Sequence, residues 1–231
     1  MCASRCPSRR WLTVAALLLL LAGCGGRPLL PDATDPGAPE AADPHEPLRE
    51  EFIPGHIGNW LLEGDAIGTT DVVNEQLVIT VDAPNTMQYA TLTDRTFDDF
   101  VLEVDTWQRS GAPESSFGVL FRVTEDGQFY RFEITGNGLY MVERRAADGT
   151  WVRLIREWTP TPAVNQGLNV ANRLKVIANG ADLAFYVNDI LLTQLNDANL
   201  AGGAIALDAG SFAGTALQVA FDNVSVTPDA R

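Results

Sequence analysis

The chain contains few of the residues that most often build hydrolytic and metal sites. Its three cysteines are Cys2, Cys6 and Cys24, and its two histidines are His45 and His56. Beyond position 24 there is therefore neither a thiol nucleophile nor a disulfide. A Ser-His-Asp triad and a multi-histidine metal cluster are excluded from the same region. We expect a domain held together by its hydrophobic core alone.

Basic residues are also scarce. The chain has 16 Lys and Arg against 30 Asp and Glu, which gives a formal net charge of −14. Such a surface repels nucleic-acid phosphates, and no basic stripe offsets it, so we expect no nucleic-acid partner. Anionic lipid headgroups would be repelled as well, so membrane attachment would have to come from acyl chains alone. The acidity serves either solubility or the steering of a charged partner.

The longest hydrophobic run lies near the N-terminus. Arg9 and Arg10 precede residues 11–22, in which a single threonine is the only polar residue. A membrane-spanning helix needs about 20 residues, so this run is typical of a signal peptide. The motif Leu21-Ala22-Gly23-Cys24 resembles the lipobox of bacterial lipoproteins, which implies removal of residues 1–23 and acylation of Cys24. The predicted location is the cell envelope, extracytoplasmic and lipid-anchored.

Two alternatives concern this leader. The first is an ordinary secretory signal in which the cysteine is coincidental. The second is export by the twin-arginine route, which the segment 8–12 faintly resembles, whereas the very apolar run favours the general secretory route.

Residues 24–50 form a second region. Six prolines at positions 28, 31, 36, 39, 44 and 47 stand among acidic and small residues without strand or helix periodicity. This composition predicts an acylated, disordered tether between the membrane and a domain at 51–228.

From residue 52 onward, short alternating runs separated by turn dipeptides predict an all-β fold. Many hairpin-connected strands in this length indicate two packed antiparallel sheets, a jelly-roll sandwich. The only candidate helix lies in 160–172, where two prolines and a glycine oppose it. The predicted strands are 77–81, 89–92, 100–109, 117–123, 129–135, 139–144, 151–158, 174–178, 183–187, 190–195, 204–207 and 217–226.

Alternation along three of these strands separates core side chains from outward ones. If 100–109, 117–123 and 129–135 are neighbours, one open face collects an indole, two guanidinium groups and three carboxylates. Aromatic rings that stack on sugars, flanked by Arg and carboxylates, are typical of glycan recognition. The alternative interpretation is a cross-strand salt-bridge ladder. Three other tryptophans have two possible positions. Trp60, Trp151 and Trp158 either line the same groove or, as the simpler interpretation, belong to the core. The candidate ligand-binding residues are Glu103, Asp105, Trp107, Arg122, Arg131 and Glu133.

Five segments together resemble a known fold family. They are Phe117–Arg122, Asp126–Phe132, Asn172–Val176, Phe185–Asn188 and Phe221–Val226. These stretches resemble the concanavalin A-like lectin/glucanase jelly roll, and more closely its laminin-G-like and 3-keto-disaccharide-hydrolase-type relatives. The resemblance implies a sandwich used as a lectin, a hydrolase or an adhesion module.

Glu103-Val104-Asp105-Thr106-Trp107-Gln108 resembles the laminarinase-type glycosidase motif, in which the first Glu is the nucleophile and a closing Glu is the acid/base. Here Gln108 takes the closing position and cannot transfer a proton. We therefore expect no catalytic residue in this motif, and Glu103 and Asp105 keep only a hydrogen-bonding role.

The closing strand resembles that of glucanase relatives in which an Asp holds a structural Ca²⁺ with backbone carbonyls. This implies a calcium ligand at Asp222, the alternative being an ordinary strand-end residue, and no other cofactor is expected. The sequence favours a non-catalytic, surface-tethered module that binds a glycan or other extracellular polymer. The alternatives are a 3-keto-disaccharide-type glycoside hydrolase and a structural or protein-interaction domain with a protein partner.

Overall fold

The computed structural model describes residues 46–214 and 216–228. The predicted signal peptide, Cys24 and most of the predicted tether lie outside these residues. Within the described ranges the secondary structure consists of strands joined by turns and loops. The strands are β1 (Leu48–Glu50), β2 (Trp60–Leu61), β3 (Gly68–Val73), β4 (Gln76–Val81), β5 (Thr86–Leu92), β6 (Phe100–Ser110), β7 (Ser116–Val123), β8 (Phe129–Thr135), β9 (Leu139–Arg145), β10 (Trp151–Arg153), β11 (Thr159–Pro160), β12 (Asn172–Asn179), β13 (Asp182–Val187), β14 (Ile190–Asn196), β15 (Ala204–Ser211) and β16 (Leu217–Pro228).

Two eight-stranded antiparallel sheets make up the sandwich, as the alternation predicts. Sheet A has the order β14-β13-β12-β6-β16-β4-β3, with β1 also paired to β16. Sheet B has the order β10-β9-β8-β7-β15-β5-β2, with β11 also paired to β9. The predicted all-β class, a sandwich of two antiparallel sheets, is therefore confirmed.

The core lies between the sheets and is built by the alternation seen in the sequence. Phe100 of β6 meets Phe121 of β7 with 6.1 Å between ring centroids, and Phe185 of β13 meets Phe132 of β8 at 5.1 Å. All four rings are fully buried. Each such side chain stabilises the fold by about 1.5–3 kcal/mol through burial, so these cross-sheet pairs hold the two layers together.

Three local features differ from the sequence-based expectation. The sandwich begins at Leu48 rather than at residue 51, because β1 pairs with β16. The strand predicted at 151–158 ends at Arg153, and the chain then bends before β11. In the described structure, 160–172 contains turns and no helix. Among the described residues, no helix is long and apolar enough to span a membrane.

The expectation that the strands at 100–109, 117–123 and 129–135 are neighbours is wrong. β6 pairs with β12 and β16 in sheet A, whereas β7 and β8 pair with each other in sheet B. Alternation identifies which side chains face the core, but both sheets present the same pattern. The crossover between layers after β6 therefore leaves no periodic signal.

Candidate functional site

The structure divides the six candidate ligand-binding residues between three places. Glu103, Asp105 and Trp107 lie on the outer face of sheet A. Glu103 pairs with Lys175 at 2.8 Å, and Asp105 accepts hydrogen bonds from Arg173 at 2.8 and 3.0 Å. Trp107 lies under a guanidinium group, with Arg109 Cζ 5.2 Å from its ring centroid. This arrangement matches the alternative interpretation of a cross-strand salt-bridge ladder.

Arg122 lies on neither outer face. Its side chain is fully buried and its φ is +51°. The register between β7 and β15 shifts beside it, so a β-bulge turns the side chain away from the sheet surface toward the end of the sandwich. There its guanidinium group donates to the carbonyls of Asp98, Gly180 and Leu200. Arg122 therefore ties connecting segments together.

The glycosidase-like motif is also separated by the fold. Glu103 and Asp105 face outward, whereas Gln108 points inward with 1% of its surface exposed. Its Nε2 donates to the carbonyl of Ala112 at 2.8 Å. The three motif positions therefore do not share a face, in addition to the missing carboxyl at position 108.

Asp222 is partly buried and pairs with Asp105 across β16 and β6. Its Oδ1 accepts the backbone N–H of Asn223 at 2.7 Å, and burial raises its pKa. In the described part of the chain, no group of three or more His, Cys, Asp or Glu residues is placed to hold a metal. Calcium binding at Asp222 stays a prediction.

Arg131 and Glu133 of β8 lie together on the outer face of sheet B, where they form an ionic cluster with Glu143 of the adjacent β9 and Asp208 of β15, two strands away. Arg131 donates through Nε and Nη2 to Asp208 Oδ2 at 2.8 and 2.6 Å. The same Nη2 lies 2.6 Å from Glu133 Oε1, and Nη1 lies 3.5 Å from Glu143 Oε1. We call Ser116, Arg131, Glu133, Glu143 and Asp208 the Arg131 cluster.

The cluster is nearly dry although it lies on an outer face. Glu133 is 1% exposed and Asp208 is 0% exposed. Burial raises the pKa of Glu133 to about 8, although the positive charge of Arg131 opposes this shift, and the nearby Asp208 carboxylate raises the pKa further. Burial also raises the pKa values of Asp208 and Glu143. Burial alone would lower the pKa of Arg131, but Asp208 and Glu133 raise it, so the guanidinium stays charged.

Several polar atoms of the cluster are buried without a hydrogen bond. They are both carboxyl oxygens of Glu133, Oδ1 of Asp208 and Oγ of Ser116. The close approach of Glu133 to Arg131 is an ion pair whose geometry is not that of a hydrogen bond. Buried polar atoms are nearly always partnered, and unpartnered groups gathered at one place are typical of a functional site.

An open pocket of about 620 Å³ lies directly above the cluster. This volume is within the range of small-ligand sites. Ser116, Arg131 and Glu143 contribute to its lining, whereas Glu133 and Asp208 lie beneath it. Aromatic side chains border it: Trp151 of β10 is 42% exposed and Phe212 is 41% exposed.

The two rim aromatics are each held by a second ring. Trp151 packs edge-on against Phe129 with 5.6 Å between centroids and lies 5.7 Å from Arg131 Cζ. Phe212 packs edge-on against Trp158 at 6.0 Å. The pocket therefore offers fixed aromatic surfaces beside charged hydrogen-bonding groups.

Two glycines leave the space that the side chains of the Arg131 cluster occupy beneath this pocket. A Cβ at Gly210 would lie 3.0 Å from Ser116 Oγ and 3.1 Å from Arg131 Nη2, so only glycine leaves both groups uncrowded. Gly118 stands between Asp208 and Glu133 in the sheet register, and a Cβ there would collide with the carbonyl oxygen of Phe132.

Ser116, Glu143 and Asp208 are not among the residues that the sequence predicts for the site, and the core is the simpler prediction for Trp151. Trp60 is buried, whereas Trp151 is exposed. One signal pointed to Asp208: it is the only charged residue in β15, whose other residues are small or apolar apart from the closing serine. A lone carboxylate in a buried strand requires a buried cation, and Arg131 supplies it.

Comparison with solved structures shows the same sandwich in carbohydrate-active proteins. The carbohydrate-binding module CBM66 from Bacillus subtilis is 19% identical, with a TM-score of 0.58 over 73% of this chain and 95% of that chain. Bacillus licheniformis β-glucanase is 12% identical, with a TM-score of 0.57 over 80% of this chain and 98% of that chain. An endo-β-galactosidase from Clostridium perfringens is 10% identical, with a TM-score of 0.58 over 78% and 61%. At these identities the comparison establishes the fold.

A search among curated proteins found no match. A family model does match, and it describes a 3-keto-alpha-glucoside-1,2-lyase-like domain. The match covers residues 55–227, which is nearly the whole sandwich and includes every residue of the Arg131 cluster. The chain therefore belongs to the family of 3-keto-alpha-glucoside-1,2-lyase-like domains.

Proposed function

We propose that this protein is a non-catalytic glycan-binding module, held at the cell envelope by a lipid on Cys24. The observation that carries the proposal is the exposed indole of Trp151 beside Arg131 at the mouth of a pocket. Support also comes from a family description that names a glucoside and from a carbohydrate-binding module among the structural neighbours.

The pocket offers the two kinds of contact that a sugar ring uses. The apolar C–H face of a pyranose stacks on an aromatic ring, and Trp151 presents such a ring. Sugar hydroxyls bind both donors and acceptors, and Arg131, Arg153 and Glu143 line the same pocket. The reactive carboxyls Glu133 and Asp208 lie under the floor, which favours recognition over catalysis.

Binding of the full chain to an array of immobilised glycans, with and without calcium, tests this proposal. We expect retention on a restricted set of glycans and no change in the glycans themselves, checked by mass spectrometry after incubation. Retention that requires calcium would support the role predicted for Asp222. A protein that binds no glycan and instead captures protein partners would contradict the proposal and favour an interaction domain.

One observation favours a second function, cleavage of a glycoside. Glu133 Oε1 and Asp208 Oδ2 both lie 2.6 Å from Arg131 Nη2, so these oxygens are separated by no more than twice that distance. Retaining glycosidases hold their two carboxyls about 5–5.5 Å apart. The desolvated Glu133 meets the further requirement of an acid with a raised pKa.

Proton NMR of the full chain with maltose, trehalose and their 3-keto derivatives separates the two functions. If the protein only binds, the anomeric signals broaden or shift and no new sugar appears. Release of glucose, or loss of the 3-keto glucoside, would replace the binding proposal with an enzymatic one. In that case Glu143→Gln, which alters the carboxyl that lines the pocket, should reduce turnover.

A further inference from the structure

We propose that Glu133 is a neutral carboxylic acid at neutral pH, sharing one proton with Asp208, and that this proton sets the charge of the pocket above it. The proposal rests on the pocket identified above but does not depend on the identity of its ligand. It assigns to Glu133 a positioning role, because Glu133 lies under the lining rather than in it.

The first argument is the balance of charge. Arg131 on β8 is the buried cation that faces Glu133, whereas carboxylates approach it from two other strands of sheet B: Asp208 on β15, beyond β7, and Glu143 on the adjacent β9. Arg153 on β10 lies on the exposed side, next to Glu143. Three ionised carboxyls around one buried guanidinium would leave an excess negative charge in a nearly dry site, which is strongly unfavourable.

The second argument identifies the carboxyl that holds the proton. Asp208 accepts two hydrogen bonds from Arg131, which favour its charged form. Glu143 is the most exposed of the three and lines the pocket, so water solvates its charge. Glu133 lies 2.6 Å from Arg131 Nη2, but neither of its oxygens has a contact with hydrogen-bond geometry that would favour its charged form. The proton therefore resides mainly on Glu133.

The third argument is that this proton supplies a donor to a cluster that has unused acceptors. Asp208 Oδ1 and Ser116 Oγ are buried without a hydrogen bond beside Glu133. A carboxylic O–H on Glu133 can donate to either of them, whereas a carboxylate can only accept. Donation to Ser116 Oγ would leave the serine hydroxyl hydrogen free to point into the pocket. The raised pKa of Glu133 agrees with this assignment.

The consequence is a pocket with balanced charge. With Glu133 neutral, Arg131 and Arg153 balance Asp208 and Glu143, so the site suits an uncharged ligand such as a neutral sugar. Once Glu133 ionises, the pocket carries one excess negative charge, the new carboxylate competes for the Arg131 donors, and the serine hydroxyl turns toward it. Glu133 thus controls whether Ser116 and Arg131 are available to donate to a ligand.

Carbon-13 NMR of the full chain measures this protonation directly. We expect the side-chain carboxyl resonance that disappears in Glu133→Gln to titrate above about pH 7, since the folded state favours its neutral form. A resonance that titrates below about pH 5 would overturn the proposal. Neither result depends on glycan binding, so failure of the proposed function and failure of this inference remain distinguishable.

Thermal unfolding as a function of pH gives the second test. A carboxyl with a raised pKa in the folded state stabilises the fold fully below about pH 4, and this stabilisation is lost as the pH rises toward about 8. The amide introduced by Glu133→Gln mimics the neutral acid and cannot ionise. The Tm of this variant should match that of the natural chain near pH 5 and exceed it by about 4 °C or more near pH 9.

The matched control is Glu103→Gln, which removes a partly exposed carboxyl paired with Lys175 on sheet A. The Tm of Glu103→Gln should not rise relative to that of the natural chain as the pH increases, in contrast to the Tm of Glu133→Gln. If the two variants show parallel profiles, Glu133 is ionised across this range and the proposal fails.

Discussion

Replacing Arg122 with alanine should lower the free energy of unfolding by about 3–5 kcal/mol, because it removes the cation from a fully buried polar site. The guanidinium group donates to the carbonyls of Asp98, Gly180 and Leu200 and lies 3.5 Å from the carboxylate of Asp99. These acceptors belong to three separate connections at one end of the sandwich. Without Arg122 they would remain desolvated and without this donor.

Chemical denaturation monitored by circular dichroism measures this effect, and Arg173→Ala is the matched control. Arg173 makes two hydrogen bonds to Asp105, but about half of its side chain is exposed, so its loss should cost no more than about 1 kcal/mol. Arg122→Gly should be less damaging than Arg122→Ala by about 1 kcal/mol, because residue 122 has a positive φ. Equal destabilisation by Arg122→Ala and Arg173→Ala would show that Arg122 does not have this structural role.

Trp151→Ala should weaken glycan binding by about 10- to 100-fold, since truncating a tryptophan that anchors a ligand typically costs about 2 kcal/mol. The residue is 42% exposed at the pocket mouth, and its ring contacts Phe129 and Arg131. Its removal should therefore change the stability of the fold by about 1 kcal/mol or less. Isothermal titration with a glycan retained on the array measures the affinity, and thermal unfolding checks the fold.

Trp107→Ala is the matched control for this prediction. Trp107 is a partly exposed tryptophan with its own arginine partner, but it lies on the outer face of sheet A. Its loss should leave the affinity within about twofold of the natural chain. If Trp107→Ala abolishes binding and Trp151→Ala does not, the binding surface is the outer face of sheet A, and the Arg131 pocket has another role.

Local sequence patterns predict the strands of this fold well. The strands at 129–135, 139–144 and 190–195 agree with β8, β9 and β14 to within one residue at each end. Each is rich in apolar and aromatic residues and is bounded by a Gly- or Asn-containing turn, so local chemistry defines its ends. β3 was not predicted, because its sequence Gly-Thr-Thr-Asp-Val-Val carries few apolar residues and its burial depends on the neighbouring β4.

The site was predicted only in part, for physical reasons that particular residues illustrate. Arg131 and Glu133 are predicted to face outward, but their burial depends on side chains from other strands, such as Trp151 of β10 beside Arg131 and Asp208 of β15. Asp208 joins them through the pairing of β7 with β15, which are separated by about eighty residues along the chain. Arg122 was misassigned because a one-residue bulge reverses the direction that alternation predicts.

The position of Trp151 has a consequence for altering selectivity. β10 has only three residues and lies at the margin of sheet B, paired on one side with β9. Exchanging β10 alone, residues 151–153, for that of another family member would replace the aromatic contact surface and spare Leu154 and Ile155, which pack against the hydrophobic core. The Arg131 cluster would remain unchanged in such chimaeras. Their ligand preferences would therefore measure how far β10 alone determines selectivity.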